Sequence, residues 1–211
     1  MQCFVFFGIQ GSGKGTQAEL LSASLQFQHI NIGDLFREQI SRETPLGLQV
    51  RKIISRGELV PDELVFEIVD RSLLPDRRGI IFDGFPRTLV QADYLVRHFE
   101  VRQVFFLELA EAVAIARISS RRICRSCGQN YNLVSDPPRE VNVCDACGGE
   151  LVIRNDDKPE AISRRLKEFY DQTLALKEFF AGRSLLSVVD AGQEIEAVAG
   201  EILEIVGSLP C

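Results

Sequence analysis

Cys3-Phe4-Val5-Phe6-Phe7-Gly8-Ile9-Gln10-Gly11-Ser12-Gly13-Lys14-Gly15-Thr16 holds a strand, a turn and a helix start in one short run. Its first five residues are apolar and rich in aromatic and β-branched groups, which reads as a parallel strand buried on both faces. The glycines that follow permit a turn whose backbone N–H groups converge, and a helix of about Lys14–Leu25 begins where the turn ends. Converging amides, a helix N-terminus and a lysine after the third glycine together make a cradle for phosphate. A plain glycine-rich connection would leave Lys14 unexplained. Gly11, Ser12, Gly13, Lys14, Gly15 and Thr16 are therefore candidate ligands of a donor phosphate chain. The general pattern has Ser or Thr directly after the lysine, whereas here Gly15 precedes Thr16.

Downstream, extended and helical patterns alternate. Gln28–Asn31 reads as a short strand, and 33–73 as helical with breaks near Thr44-Pro45 and from Gly57 to Pro61. Gly79–Phe82 is a strand ending in Asp83, followed by a helix over Thr88–His98, a strand over Gln103–Leu109 and a helix over Ala110–Arg122. After Pro159 a charged helix runs to about Ala181, then a strand over Leu185–Val189 and a helix over Ile195–Val206. Strands alternating with helices predict an α/β fold, with a parallel sheet covered on both faces. The stretch from Ile123 to Asp157 is rich in Gly, Pro, Asn and Cys and has no helical period, so it reads as an insertion into that domain.

The 211 residues suffice for one α/β domain with insertions. A net charge of −6 gives no long-range attraction to nucleic acid or anionic lipid, so a polyanionic ligand must be held by local arginines and backbone amides. No stretch is long and apolar enough to span a bilayer, and the apolar start lacks the basic head and cleavage site of a signal peptide. A cytoplasmic protein is expected.

Cys3 and Cys211 read as free thiols. The other four cysteines form two C-x-x-C pairs, Cys124/Cys127 and Cys144/Cys147, each followed by glycine and separated by sixteen residues. In a reducing compartment this spacing points to a tetrahedral metal site of the zinc-ribbon kind, which iron could also occupy. Four thiolates leave no open position, so the metal is structural. It would also staple a segment too poor in apolar groups to fold alone. A redox C-x-x-C would need only one pair.

Asp83-Gly84-Phe85-Pro86-Arg87-Thr88 lies at the carboxyl end of a strand, where open α/β sheets bind ligands. An acid there can orient Mg2+ through water, and an arginine can grip phosphate bidentately. Alone, the segment could equally be a capped helix start.

Taken together, these motifs resemble the adenylate kinases and their nucleoside monophosphate kinase relatives. The ending Gly13-Lys14-Gly15-Thr16 is similar to that family's phosphate loop, and D-G-F-P-R-T over 83–88 to its signature. Asn31 to Arg37 resembles its S-T-G-D-x-x-R segment, and Gly57-Glu58-Leu59-Val60 the stretch lining its adenine pocket. The resemblance implies a P-loop nucleotide kinase fold with a five-stranded parallel sheet. It divides the chain into a CORE (1–30, 61–120 and 158–211), an NMP-binding subdomain (31–60) and a LID (121–157). It implies Arg87 and Arg37 on the acceptor phosphate, Asp83 near the metal, and Gln91 reading the adenine edge. Ile32, Glu58, Leu59, Val60, Gly84, Phe85 and Pro86 complete the acceptor site. On the donor side it implies Arg117 against the base, Arg121 on the phosphates and Asn130-Tyr131 in contact with the nucleotide. Gln193 stands where some members carry lysine. Arg154 and Arg165 would meet the transferring group, near the carboxylate pair Asp156-Asp157. Arg117 and Arg121, four apart, are expected on one face of a helix. His29 and His98 match no functional position of the family.

The implied reaction is ATP + AMP to two ADP in a monomer with Mg2+ and a structural Zn2+. Ile32 replaces the family's usual threonine beside the acceptor base, which leaves UMP or CMP open as acceptors. A P-loop protein whose zinc ribbon binds nucleic acid is the reading from another class; the acidic charge speaks against it, and it leaves D-G-F-P-R-T unexplained.

Overall fold

The computed structural model describes residues 1–75 and 77–210; Cys211, expected as a free thiol, lies outside them. Five strands, β1 (Gln2–Gly8), β2 (Gln28–Asn31), β3 (Gly79–Asp83), β4 (Glu100–Glu108) and β8 (Leu186–Asp190), form one sheet in the order β2-β3-β1-β4-β8, and every pairing is parallel. The apolar run of β1 is explained by its two covered faces. Cys3, Val5 and Phe7 point into one core and Phe4 and Phe6 into the other, with β4 alternating alongside as Val104 and Phe106 against Phe105 and Leu107. Cys3 is a free thiol whose burial pushes it up to about 12, so it acts as a small apolar group.

Helix α1 (Lys14–Leu25) and α9 (Ile195–Ser208) cover the face of Phe4 and Phe6 with Ala18, Leu21, Val198 and Ile202. The larger core on the other face is covered by α4 (Asp62–Ser72), α5 (Leu89–His98) and α8 (Leu176–Ala181), through Val65, Ile68, Val69, Ala92, Leu95, Leu176 and Phe180. Thr44 caps α3 (Pro45–Ser55) by accepting from Gly47 N, and Asn31 caps α2 (Ile32–Ser41) by accepting from Asp34 N. No helix of the described residues is long and apolar enough to cross a membrane.

Two expectations are corrected. The helix expected over Ala110–Arg122 ends early: α6 spans Glu111–Ser119, and Arg121–Cys124 is a strand, β5. Ser119 and Ser120 turn their hydroxyls back onto Ile115 O and Ala116 O, and the next residues find a ladder instead, Arg121 pairing with Asn132 and Cys124 with Leu151. The insertion is thus a three-stranded antiparallel sheet, β6 (Asn130–Asn132)-β5-β7 (Leu151–Val152). The long helix expected after Pro159 is also broken. α7 (Pro159–Glu168) runs into a π-helical turn, Phe169–Thr173, before α8, with Leu174 N bonded to Phe169 O at 2.8 Å. That turn buries Thr173 and lets its hydroxyl donate to Arg87 O at 3.0 Å.

Candidate active site

The turn after β1 is tight because its glycines admit neighbouring backbone. A Cβ on Gly11, whose φ is +83°, would lie 2.7 Å from Ala114 O, so a side chain has no room there. Lys14 Nζ donates to Gly8 O (2.9 Å) and Ile9 O (2.8 Å), which leaves one proton of the ammonium for the cleft it lines. Desolvation brings Lys14 down to about 7 against the pull of Asp83, and Arg87, Arg165 and Arg121 push the same way as burial. The hydroxyl of Ser12 is buried in the turn with no hydrogen-bond partner among the described residues.

Asp83 ends β3 between Asn31 of β2 and Phe6 of β1. Asn31 Nδ2 donates to Asp83 Oδ2 at 2.5 Å, and His29 Nε2 stands 4.0 Å from the same oxygen. Burial pushes the Asp83 carboxyl up, with Lys14 and then His29 pulling it down. The glycine after Lys14 lies close to this carboxylate: a Cβ on Gly15 would sit 3.3 Å from Asp83 Oδ2, a contact tight by a few tenths of an ångström.

The arginines arrive from separate elements and are held by two buried carboxylates. Arg121 bonds Asp157 through Nε (2.8 Å) and Nη2 (2.5 Å); Arg154 bonds Asp156 through Nε (3.1 Å) and Nη2 (2.9 Å). Arg165 Nη1 reaches Asp157 Oδ1 at 3.0 Å and Asp156 Oδ2 at 3.2 Å, while Arg37 Nη1 is 3.8 Å from Asp156 Oδ2. Desolvation opposes charge on Asp156, but Arg154, Arg165 and Arg37 outweigh it and hold that carboxyl well below the usual range. Arg87 Nε donates to Gly84 O at 2.9 Å, leaving the end of its fork for the cleft.

Two cavities meet among these groups. The larger is bordered by the glycine turn, Lys14, Thr16, Asp83, Pro86, Arg117, Arg121, Asn130, Tyr131, Arg154 and Gln193. The smaller is bordered by Ile32, Phe36, Ile54, Glu58, Leu59, Val60, Val65 and Gln91. Gly33, Arg37, Gly84, Arg87 and Arg165 border both. Not every expected site residue presents its side chain as the sequence implied. The side chain of Phe85 is fully buried against Phe82, with ring centroids 5.3 Å apart, and not in the cleft. Tyr131 turns its ring into the cysteine cluster, where its hydroxyl meets Cys144 Sγ at 3.4 Å. Arg117 and Arg121 do not share a helix face, since Arg121 belongs to β5; they reach the same cleft from different elements, Arg117 while donating to Ala191 O at 3.0 Å. Gln193 is exposed at the rim.

Sequence reasoning missed the partner groups. His29 and Asn31 meet Asp83 through strand register, and Thr173 meets Arg87 through the π turn. Asp62 reads in sequence only as an acid in the first turn of a helix after Pro61, yet it holds Gln91.

In the insertion the two C-x-x-C-G turns have matching geometry. Gly128 N bonds Cys124 O (3.0 Å) and Gly148 N bonds Cys144 O (2.8 Å); Cys124 N and Cys144 N bond Gln129 O and Gly149 O, both at 2.8 Å. The four Sγ atoms lie within 4.8 Å of one another, with Cys124–Cys147 at 3.5 Å and Cys127–Cys144 at 3.6 Å. A tetrahedral shell with metal–sulfur bonds of ~2.3 Å needs edges of about 3.8 Å. The cluster therefore fits a metal ion.

The family model described as "Adenylate kinase" matches residues 6–185. The adenylate kinase of Methanocella arvoryzae is 42% identical over 206 residues, covering 94% of this chain and 95% of its own length. That of Thermosipho melanesiensis is 43% identical over 209 residues (96% and 98%), and that of a Geobacillus species 40% over 212 residues (97% and 98%). The match runs through the cysteine insertion as well as the sheet, so the reading as a nucleic-acid-binding ribbon attached to a P-loop is not favoured. With its phosphate turn, its meeting cavities and these relatives, the chain belongs to the adenylate kinase family and is a nucleoside monophosphate kinase.

Proposed function

We infer that this chain moves the γ-phosphoryl group of ATP to AMP, reversibly and with Mg2+, giving two ADP. The observation that carries the reading is the junction of the two cavities at Gly33, Arg37, Gly84, Arg87 and Arg165. A donor whose phosphates rest on the glycine turn and an acceptor whose base rests in the apolar pocket would meet there end to end, among cations.

The acceptor is already an anionic phosphate, so no general base is needed; alignment and charge neutralisation carry the step. Lys14 and Arg121 bind the donor phosphates, Arg37 and Arg87 the acceptor phosphate, and Arg154 and Arg165 the group in transit. The forks of Arg121, Arg154 and Arg165 are already oriented by Asp156 and Asp157, which lowers the reorganisation needed as charge shifts. Arg117, Asn130, Tyr131 and Gln193 hold the donor nucleoside; Ile32, Glu58, Leu59, Val60 and Gln91 hold the acceptor base. Asp83 would bind Mg2+ through water, since its Oδ1 takes no hydrogen bond from the described residues and the side chain borders the cleft. Mg2+, when bound, would withdraw charge from the donor phosphates. Zn2+ suits the four-thiolate shell, where it would hold the insertion folded.

Residues 1–30, 61–120 and 158–211 are assigned to the CORE, 31–60 to the acceptor arm and 121–157 to a LID whose closure excludes water, the competing acceptor. The whole two-nucleotide site is drawn from one chain, which supports a working monomer, and metal-ligating thiols suit the reducing cytoplasm. The test is ADP formation from ATP plus AMP, with and without Mg2+. Turnover that depends on both Mg2+ and AMP is expected; a triphosphate that binds without transfer to any monophosphate would overturn the reading.

A further inference from the structure

The smaller cavity carries its base-reading chemistry in one place. It is apolar over Ile32, Phe36, Ile54, Leu59 and Val60, and among the described residues that border it Gln91 alone has an uncharged polar side chain. Ile32 supplies no hydroxyl, so side-chain hydrogen bonding to a base falls to this amide. Gln91 is 1% exposed, and each end of its amide is engaged. Its Oε1 accepts from Arg87 N at 2.8 Å, and its Nε2 donates to Asp62 Oδ1 at 2.7 Å. The same Asp62 oxygen accepts from Thr88 Oγ1 at 3.1 Å, and Thr88 in turn caps α5 by accepting from Gln91 N at 3.1 Å.

A backbone N–H only donates and a carboxylate only accepts, so these partners permit one orientation of the amide. Oε1 keeps one lone pair and Nε2 one proton, and because Gln91 borders the cavity this is the edge it can offer a base. That edge matches a base with an amino donor beside a ring-nitrogen acceptor, as in adenine or cytosine. It opposes a base with a carbonyl beside a ring N–H, as in hypoxanthine or uracil. A flipped amide would serve the carbonyl bases, but it would set donor against donor at Arg87 N and acceptor against acceptor at Asp62. We propose that Asp62 is a positioning residue whose carboxylate, by holding Gln91 Nε2, makes the acceptor site select amino bases over carbonyl bases.

This rests on the reading of the smaller cavity as the acceptor site, so the experiment separates the two. kcat and KM are measured for AMP, IMP, CMP and UMP in the unaltered chain and in Asp62→Asn and Asp62→Glu. In the unaltered chain AMP is preferred over IMP and CMP over UMP, pairs matched in ring size. In Asp62→Asn, whose amide can also donate, the AMP:IMP ratio of kcat/KM falls about tenfold, the order expected for losing one hydrogen bond to a charged group. The loss falls on KM for AMP more than on kcat. Asp62→Glu retains the acceptor chemistry and recovers part of the ratio. A strap that merely joined α4 to α5 would lower the melting temperature and leave the ratio unchanged, and that result would overturn the proposal. IMP preferred over AMP, or UMP over CMP, in the unaltered chain would overturn it without any variant. No turnover of AMP by the unaltered chain would instead sink the function on which it rests.

Discussion

Lys14 shows how much of this site is set by desolvation. Its ammonium is held by two carbonyls of its own turn and sits among Arg87, Arg121 and Arg165, and burial brings it down to about 7. A polyanion at the same place favours the charged form, so the bound lysine titrates well above the free one. The sign follows from that ordering. Below about pH 7 the lysine is charged before and after binding, and affinity is insensitive to pH through this group. As pH rises above 7, binding must take up a proton, and affinity falls by up to about tenfold per pH unit. Titration calorimetry of MgATP at pH 8 in buffers of different ionisation enthalpy should therefore show uptake of close to one proton, lost in Lys14→Arg. Equal heats across buffers in the unaltered chain would contradict it. Lys14→Ala should lower kcat by about a hundredfold or more, the scale of removing one preorganised charge from a transition state. Its melting temperature should stay near that of the unaltered chain, because the sheet packs without it; an unchanged kcat would remove Lys14 from the chemistry.

Among the elements, the insertion depends most on something outside its own core. Among the described residues its apolar cluster is Cys124, Tyr131, Cys144 and Leu151, and two of those are metal-ligand candidates. Stripping the metal with a chelator should raise amide exchange across β5, β6 and β7 while the five-stranded sheet stays protected. The melting temperature should fall by several degrees, at roughly 2–4 °C per kcal/mol for a chain of this size; metal-free and metal-loaded protein melting together would refute a structural ion. Here the limits of sequence are visible too. The parallel strands were legible because burial on both faces leaves long apolar runs, and the cysteine site because ligand spacing is local. The end of α6 at Ser119 was not, because Arg121–Cys124 becomes a strand only by pairing with Asn130–Asn132 and Leu151–Val152. The π turn at Phe169–Thr173 left no trace in the periodicity of the charged helix. The roles of His29 and Asp62 were equally hidden, being made by contacts to Asp83 and Gln91 from other elements.

At the scale of the whole molecule, residues 31–60, the proposed acceptor arm, meet α7 and the turn before it across a seam. Arg164 Nη1 of α7 bonds Glu58 Oε1 at 3.2 Å, and Arg37 of α2 approaches Asp156 at 3.8 Å. At the centre of that seam is Gly57, with φ +76°; a Cβ there would lie 2.6 Å from Ala161 O and 2.9 Å from Arg165 Cγ. Two backbones thus approach as closely as they do because this residue has no side chain, and Arg165 borders both cavities directly behind it. Gly57→Ala adds a left-handed strain of about 1–2 kcal/mol and forces the arm away from α7. The five-stranded sheet does not border the seam, but Phe36, Val50, Ile162 and Leu166 on its two sides belong to the larger core, so a stability loss of at least that strain is expected, with the sheet still folded. The acceptor pocket, built from both sides of the seam, should open, while the donor turn on β1 and α1 stays as it is. KM for AMP is therefore expected to rise about tenfold or more, one factor of ten per roughly 1.4 kcal/mol, with KM for ATP within about twofold. Steady-state kinetics with each nucleotide varied in turn would decide it. If both KM values rise together, the seam does not serve the acceptor alone; if neither moves, the arm reaches its working position without the close approach that Gly57 allows.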